Sequence, residues 1–209
     1  MTDLTLLNAG LDGLRLAGDP VGFSIIEKYL EELELWNKKL NLVGATGAEL
    51  IVKHILDSLS ALHIIKMYPH RTIADIGSGA GLPGIPLAAF LQESKITLIE
   101  PSEKKVGFLR NAVIMCGLQN VSVVNQGLEE LTGSFDVVVF RAFRPLAAFI
   151  KYLLRITEEK GILLAYKGRY TVLKDELAEI SNITRKVEII PVEVPFLKEE
   201  RHLAIIFPF

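Results

Sequence analysis

The stretch Thr72-Ile73-Ala74-Asp75-Ile76-Gly77-Ser78-Gly79-Ala80-Gly81-Leu82-Pro83-Gly84 decides how this chain folds. A short apolar run, 72–76, passes directly into glycines spaced G-x-G-x-G-x-x-G, and a segment of helical pattern follows over 85–92. Glycines allow a tight turn and close approach of a ligand to the backbone, and a helix N-terminus presents free N–H groups. Glu100 closes the next apolar run, 95–100, and lies 23 positions after Gly77. That is near the spacing of about 20 at which a carboxylate reaches a ribose diol. Strand, glycine loop, helix and acid together predict a ligand carrying an adenosine-type ribose.

Outward from this loop the pattern repeats. Apolar runs recur at 95–100, 121–125, 135–140 and 161–166, separated by helical segments at 102–116 and 145–157, with one more helix over 171–181. Such alternation predicts parallel strands with helices on both faces. The tail differs, because 185–194 and 202–207 are strand-like runs joined by the short polar link 195–201. They predict a closing antiparallel hairpin. Before the loop the period is helical. A short helix over 2–17 stops at Gly18-Asp19-Pro20, a second spans 22–40, 41–47 is a loop, and 48–66 reads as a third amphipathic helix. The expected architecture is α/β, a doubly wound sheet of about seven strands with the last one antiparallel. Residues 1–66 form an N-terminal helical extension and 67–209 a catalytic domain.

A carboxylate at Glu100 suits NAD and S-adenosylmethionine equally. Three features favour S-adenosylmethionine. Glycines crowd toward the start of the loop, Asp75 stands just before it where a carboxylate can hold an ammonium group, and no second substrate domain follows the sheet. Asp75 also reads simply as a strand-end acid bonded to loop amides.

In an open parallel sheet the ligand crevice lies beyond the carboxyl ends of the strands. Those ends carry Asp75, Glu100, Arg141 and Lys167, with Arg144 and Arg169 close behind and Glu200-Arg201-His202 at the start of the final run. Net charge is -2, so attraction for a polyanion must come from this local basic rim. Lys53 and Asp57 are spaced as an i,i+4 ion pair beside His54. The single cysteine, Cys116, lies within a helical segment and reads as a core residue, which argues against a cysteine nucleophile and a cysteine-rich zinc site. No metal site is expected. The start lacks a signal-peptide pattern and no apolar run approaches about 18 residues, so the expectation is a cytoplasmic protein without membrane contact.

Trp36-Asn37-Lys38, Asn41-Leu42, His54-Ile55-Leu56-Asp57-Ser58, Asp75 to Pro86, Lys104-Lys105, Phe108-Leu109, Arg141-Ala142-Phe143, Lys167-Gly168 and Glu200-Arg201-His202-Leu203 occur in order along nearly the whole chain. In these stretches the chain resembles the RsmG (GidB) family, the 16S ribosomal RNA guanine-N7 methyltransferases. The resemblance implies a Rossmann-like, seven-stranded S-adenosylmethionine-dependent methyltransferase fold and methylation of guanine N7 in the 530 loop of 16S rRNA. It places the cofactor at Gly77, Leu82, Leu128, Glu129 and Arg141, beside Asp75, Gly79 and Glu100 from the loop reading. Arg141 and Lys167 are the expected catalytic pair, holding cofactor and target nucleotide; Arg144, Lys167, Arg169, Arg201 and His202 are the expected RNA contacts. Partners are 16S rRNA or the small ribosomal subunit, with the enzyme a monomer. Two alternatives stay open: a methyltransferase of this fold acting on another RNA or on protein, and a non-catalytic regulator that binds S-adenosylmethionine or RNA.

Overall fold

The computed structural model describes residues 3–141 and 145–209. Helix α1 (Leu4–Gly13) begins at Asp3, whose carboxylate accepts from Leu6 N at 3.0 Å. It is shorter than the pattern suggests, because the chain turns after Gly13 and Arg15 takes a left-handed φ of 60° that a helix interior cannot hold. Helix α2 (Pro20–Leu40) is capped by Asp19, which accepts from Gly22 N at 2.8 Å. Pro20 stands where its missing N–H is harmless, and Asn41, at φ 49°, ends the helix in a left-handed cap.

The segment 48–66 is a correction to the sequence reading. It is broken into α3 (Gly47–Leu50), a π-helical turn (Ile51–Leu56), α4 (Asp57–Leu59) and α5 (Leu62–Ile65). Ser58 Oγ donates to His54 O at 2.6 Å and Ser60 Oγ to Asp57 O at 2.7 Å. These hydroxyls compete with the backbone for helical carbonyls. The π turn also shifts the register that an i,i+4 pair requires. Lys53 stays outside and pairs with Glu49 and, at 3.7 Å, with Glu199, while Asp57 turns inward.

Seven strands form one sheet: β1 (Thr72–Ile76), β2 (Lys95–Ile99), β3 (Val121–Val124), β4 (Phe135–Arg141), β5 (Thr157–Lys167), β6 (Lys186–Pro191) and β7 (His202–Phe207). Their order is β3-β2-β1-β4-β5-β7-β6, with β1 to β5 parallel and β7 antiparallel to both of its neighbours. This is the Rossmann-like sheet with a reversed last strand that the alternation predicts. Strand β5 begins earlier than expected, taking in Thr157 from the expected helix and the unassigned Glu158-Glu159-Lys160. The register slips between the Phe135–Thr157 and Val137–Ile162 pairs. Gly161 lies at that irregularity, where a Cβ would come within 2.6 Å of Asp136 O. A charged strand start leaves no apolar signal.

Helices α6 (Gly84–Phe90), α7 (Glu103–Met115), α8 (Leu146–Arg155) and α9 (Tyr170–Ala178) cover the sheet. Side chains alternate along β4. Val137 and Val139 join a core with Leu30, Leu33, Ile55 and Phe108, whereas Val138 and Phe140 join Ile150, Leu153, Leu173 and Leu177 on the other face. The N-terminal helices therefore bury their apolar stripes against the same face as α6 and α7. Trp36 of α2 meets Phe108 of α7 with ring centroids 5.9 Å apart. No helix among the described residues is long and apolar enough to cross a membrane.

Candidate active site

Parallel pairing sets the carboxyl ends of β1 to β5 along one edge. Strand β1 runs into the glycine loop, where Gly77, Gly79 and Gly81 adopt φ of 69°, 57° and 86°. At Gly81 a Cβ would also meet Ile85 Cδ1 at 2.5 Å, adding crowding to a left-handed backbone. The loop is tied to β2. Gly77 N and Ser78 N donate to Ile99 O at 2.9 and 3.0 Å, and Gly79 N donates to Glu100 Oε2 at 2.9 Å. Glu100 Oε1 accepts from Ser102 N at 3.0 Å, so this carboxylate, only 4% exposed, is built into the loop. Each of its oxygens keeps further acceptor capacity.

Asp75 is fully buried, and its Oδ2 accepts from Gly84 N at 2.9 Å. Its Oδ1 has no hydrogen-bond partner among the described residues. Burial pushes its pKa up to about 7, while the Gly84 amide, Ser78 and Arg141 pull the other way. The bond to Gly84 N is the loop-amide contact expected of a strand-end acid. Leu82 lies buried within the loop. Tyr29 of α2, which the sequence offers only as an apolar stripe member, donates its buried hydroxyl to Ala80 O at 2.6 Å.

Leu128 is buried and Glu129 exposed in the turn after β3. Arg155 Nη2 fixes this turn, donating to the carbonyls of Leu128, Glu129 and Leu131 at 3.4, 2.8 and 3.1 Å. Nothing in the sequence near Arg155 signals that role.

The cations are arranged differently from the open rim that their spacing suggests. Arg141 faces the N-terminal helices, with Nη2 3.2 Å from Asp57 Oδ2 and Nη1 donating to Ser58 Oγ at 3.3 Å. Arg201 Nε meets the other oxygen, Asp57 Oδ1, at 3.2 Å. Lys167 is buried and pairs with Glu176 Oε2 of α9 at 2.7 Å, on the opposite face of the sheet. Arg141 and Lys167 are thus not brought together. His202 Nδ1 lies 2.7 Å from Gly168 O, and its ring meets Tyr170 at 5.7 Å. Arg169 is exposed at the start of α9; Arg144 lies outside the described residues. His54, half-buried in the π turn, has no partner for Nδ1 among the described residues. Burial, aided by Arg141, pushes its pKa down to about 4. Cys116 is buried, and burial raises its thiol to about 12, as suits a core residue.

Residues 23–204 match the family described as GidB: rRNA small subunit methyltransferase G. A "Ribosomal RNA small subunit methyltransferase G" from Treponema pallidum (strain Nichols) is 41% identical over 198 residues, covering 90% of this chain and 86% of that protein. A protein of the same name from Nitrosococcus oceani is 37% identical, over 97% of this chain and 94% of its own. Among solved structures, a putative O-methyltransferase from Klebsiella pneumoniae shares the fold with TM-score 0.64 at 15% identity, covering 98% of this chain and 96% of that one. The tRNA (m1A58) methyltransferase TrmI from Aquifex aeolicus gives TM-score 0.60 at 13% identity, over 74% of this chain and 68% of its own.

Proposed function

Because the chain belongs to the rRNA small subunit methyltransferase G (GidB) family, we propose that it transfers a methyl group from S-adenosylmethionine to guanine N7 in the 530 loop of 16S rRNA. The observation that carries the cofactor assignment is Asp75 Oδ1, a buried acceptor at the glycine loop with no partner among the described residues. An ammonium group suits that atom. Gly77, Gly79 and Leu82 would line the ligand, Glu100 would accept from its ribose, and Leu128 and Glu129 would meet its adenine. The bound cofactor supplies an activated methyl group on a sulfonium.

The chain's own task is orientation. Guanine N7 is an acceptor without a proton, so its attack needs no general base. Arg141 stands at the end of β4, beside the strand that leads into the glycine loop, and is the group we assign to the crevice wall. Lys167 acts from the other face through its pair with Glu176. Exposed Arg169, with Arg144, Arg201 and His202, would contact RNA phosphates, which position without reading sequence. We assign residues 1–66 as a helical extension of the catalytic domain, and a monomer working in the cytoplasm. Light scattering of the purified chain tests the monomer.

Incubation with labelled S-adenosylmethionine and either naked 16S rRNA or small subunits, followed by nucleoside analysis, tests the activity. The expected product is 7-methylguanosine. Label in another nucleoside or in protein would overturn the substrate, and NADH binding without S-adenosylmethionine binding would overturn the cofactor.

A further inference from the structure

Among the described residues, Asp57 is the carboxylate that Arg141 and Arg201 share. It is 4% exposed, and its oxygens divide between Arg141 Nη2 and Arg201 Nε, each at 3.2 Å. The guanidinium of Arg141 is held by two further groups of the same segment: Ser58 Oγ at 3.3 Å from Nη1, and Lys53 O at 3.5 Å from Nη2. Ser58 Oγ donates its own proton to His54 O, so it presents a lone pair to the arginine. Tyr166, which pairs with Arg141 across β4 and β5, donates its buried hydroxyl to Ser58 O at 2.6 Å. Apart from the Ser58–His54 bond, these contacts cross from the π turn and α4 to the carboxyl edge of the sheet.

That edge is where the glycine loop begins. Ile76 pairs with Phe140 in the parallel register of β1 and β4. The next residue after Ile76 is Gly77, where the loop begins, and the next after Phe140 is Arg141, the last residue of β4. A guanidinium there has several rotamers available, and only a fixed one can help orient reactants. Buried ion pairs are poor sources of stability, because desolvation offsets the attraction. A carboxylate placed between two arginines instead gives each of them a single direction. π turns inside helices are frequent at functional sites, and this one delivers Lys53 O, Asp57 and Ser58 to one guanidinium.

We propose that Asp57 is a positioning residue for methyl transfer: carried by the N-terminal helices, it holds Arg141 against Arg201 so that Arg141 meets the reactants in one orientation. The N-terminal segment is then part of the reaction machinery as well as of the core. The inference rests on the methyltransferase reading above.

A double-mutant cycle tests it, using Asp57→Asn, Arg141→Gln and the pair, in single-turnover methylation of 16S rRNA and in calorimetric binding of S-adenosylmethionine. Asp57→Asn should lower the rate constant about 10- to 100-fold, and this loss should shrink to less than about twofold in the Arg141→Gln background. A merely structural role would give equal losses in both backgrounds, or a loss that follows the melting temperature, and either result overturns the proposal. So does a rate within about twofold of wild type. Should Asp57→Asn fail to fold, Ser58→Ala removes one acceptor of Arg141 along with the bond to His54 O, and the part of its rate loss that does not follow the melting temperature must vanish in the same background. If the wild-type protein methylates no rRNA, the functional reading has failed. The binding cycle then decides the positioning claim, with weakened cofactor binding expected only where Arg141 is present.

Discussion

Asp75 shows how one buried side chain links stability, pH and ligand. Burial holds its pKa at about 7 against an ordinary value of 3.8. Its folded-state pKa is raised, so the proton it keeps stabilises the fold fully below 3.8, and that contribution fades as pH rises through about 7. At roughly 1.4 kcal/mol per unit, the swing is on the order of 4 kcal/mol. Asp75→Asn cannot titrate, so the stability of wild type relative to this variant should fall between pH 4 and pH 8 in urea denaturation. A constant difference would mean that Asp75 is already ionised in the free protein. An ammonium placed at Oδ1 would favour the carboxylate and reverse the shift. Binding of S-adenosylmethionine near pH 6.5 should therefore release protons, read by calorimetry in buffers of different ionisation enthalpy. Identical heats after buffer correction would remove Asp75 from the cofactor site.

At the scale of elements, legibility followed the length of the signal. The strand–glycine loop–helix unit at 72–90 declares itself, since its apolar run, glycine spacing and downstream Glu100 are all local in sequence. Helix α2 is equally plain, but what its Tyr29 does is not: the stripe position is visible, while the partner, Ala80 O, lies 51 residues away. Six residues of π turn cannot be told from α-helix by an apolar pattern, and so the sequence spaces the redirected Asp57 as a partner for Lys53. The charged run Glu158-Glu159-Lys160 likewise hides the start of β5. The Tyr29 bond makes α2 a support for the glycine loop. Tyr29→Phe should leave Ala80 O buried and unsatisfied, costing about 1–3 kcal/mol in urea denaturation. Cofactor affinity should weaken with it, because the carbonyl belongs to the loop that receives the ligand. Unchanged stability and affinity would show that the loop holds its shape without α2.

At the scale of the whole molecule, three of the expected site cations are tied to carboxylates and are not presented to a polyanion. Net charge is -2, and Arg141, Arg201 and Lys167 each face a buried or half-buried carboxylate. Arg169 is exposed at the crevice edge, so Arg169→Glu should weaken rRNA binding and lower the salt slope by about one, with cofactor affinity unchanged; an unaltered slope would move the RNA face elsewhere. The same arrangement bears on the pH dependence of the reaction. A base would have to be a group whose proton is labile near neutrality and which faces the acceptor. His54 is pushed down to about 4 by burial and by Arg141, and so stays neutral from pH 6 to 9. His202 places Nδ1 2.7 Å from the Gly168 carbonyl, a contact that orients its ring beside Tyr170. Cys116 is held up at about 12 and lies in the core. Asp75 titrates near neutrality, but saturating cofactor would hold it as a carboxylate. Guanine N7 has no proton to lose, so none of these groups is needed as a base, and positive charge simply passes from sulfonium to purine within a site ordered beforehand. Single-turnover methylation at saturating RNA and cofactor should therefore vary less than about threefold between pH 6 and pH 9. A tenfold rise per pH unit that disappears in His54→Asn or His202→Asn would show that a side chain must deprotonate, and the attack would then have to be rewritten around that histidine.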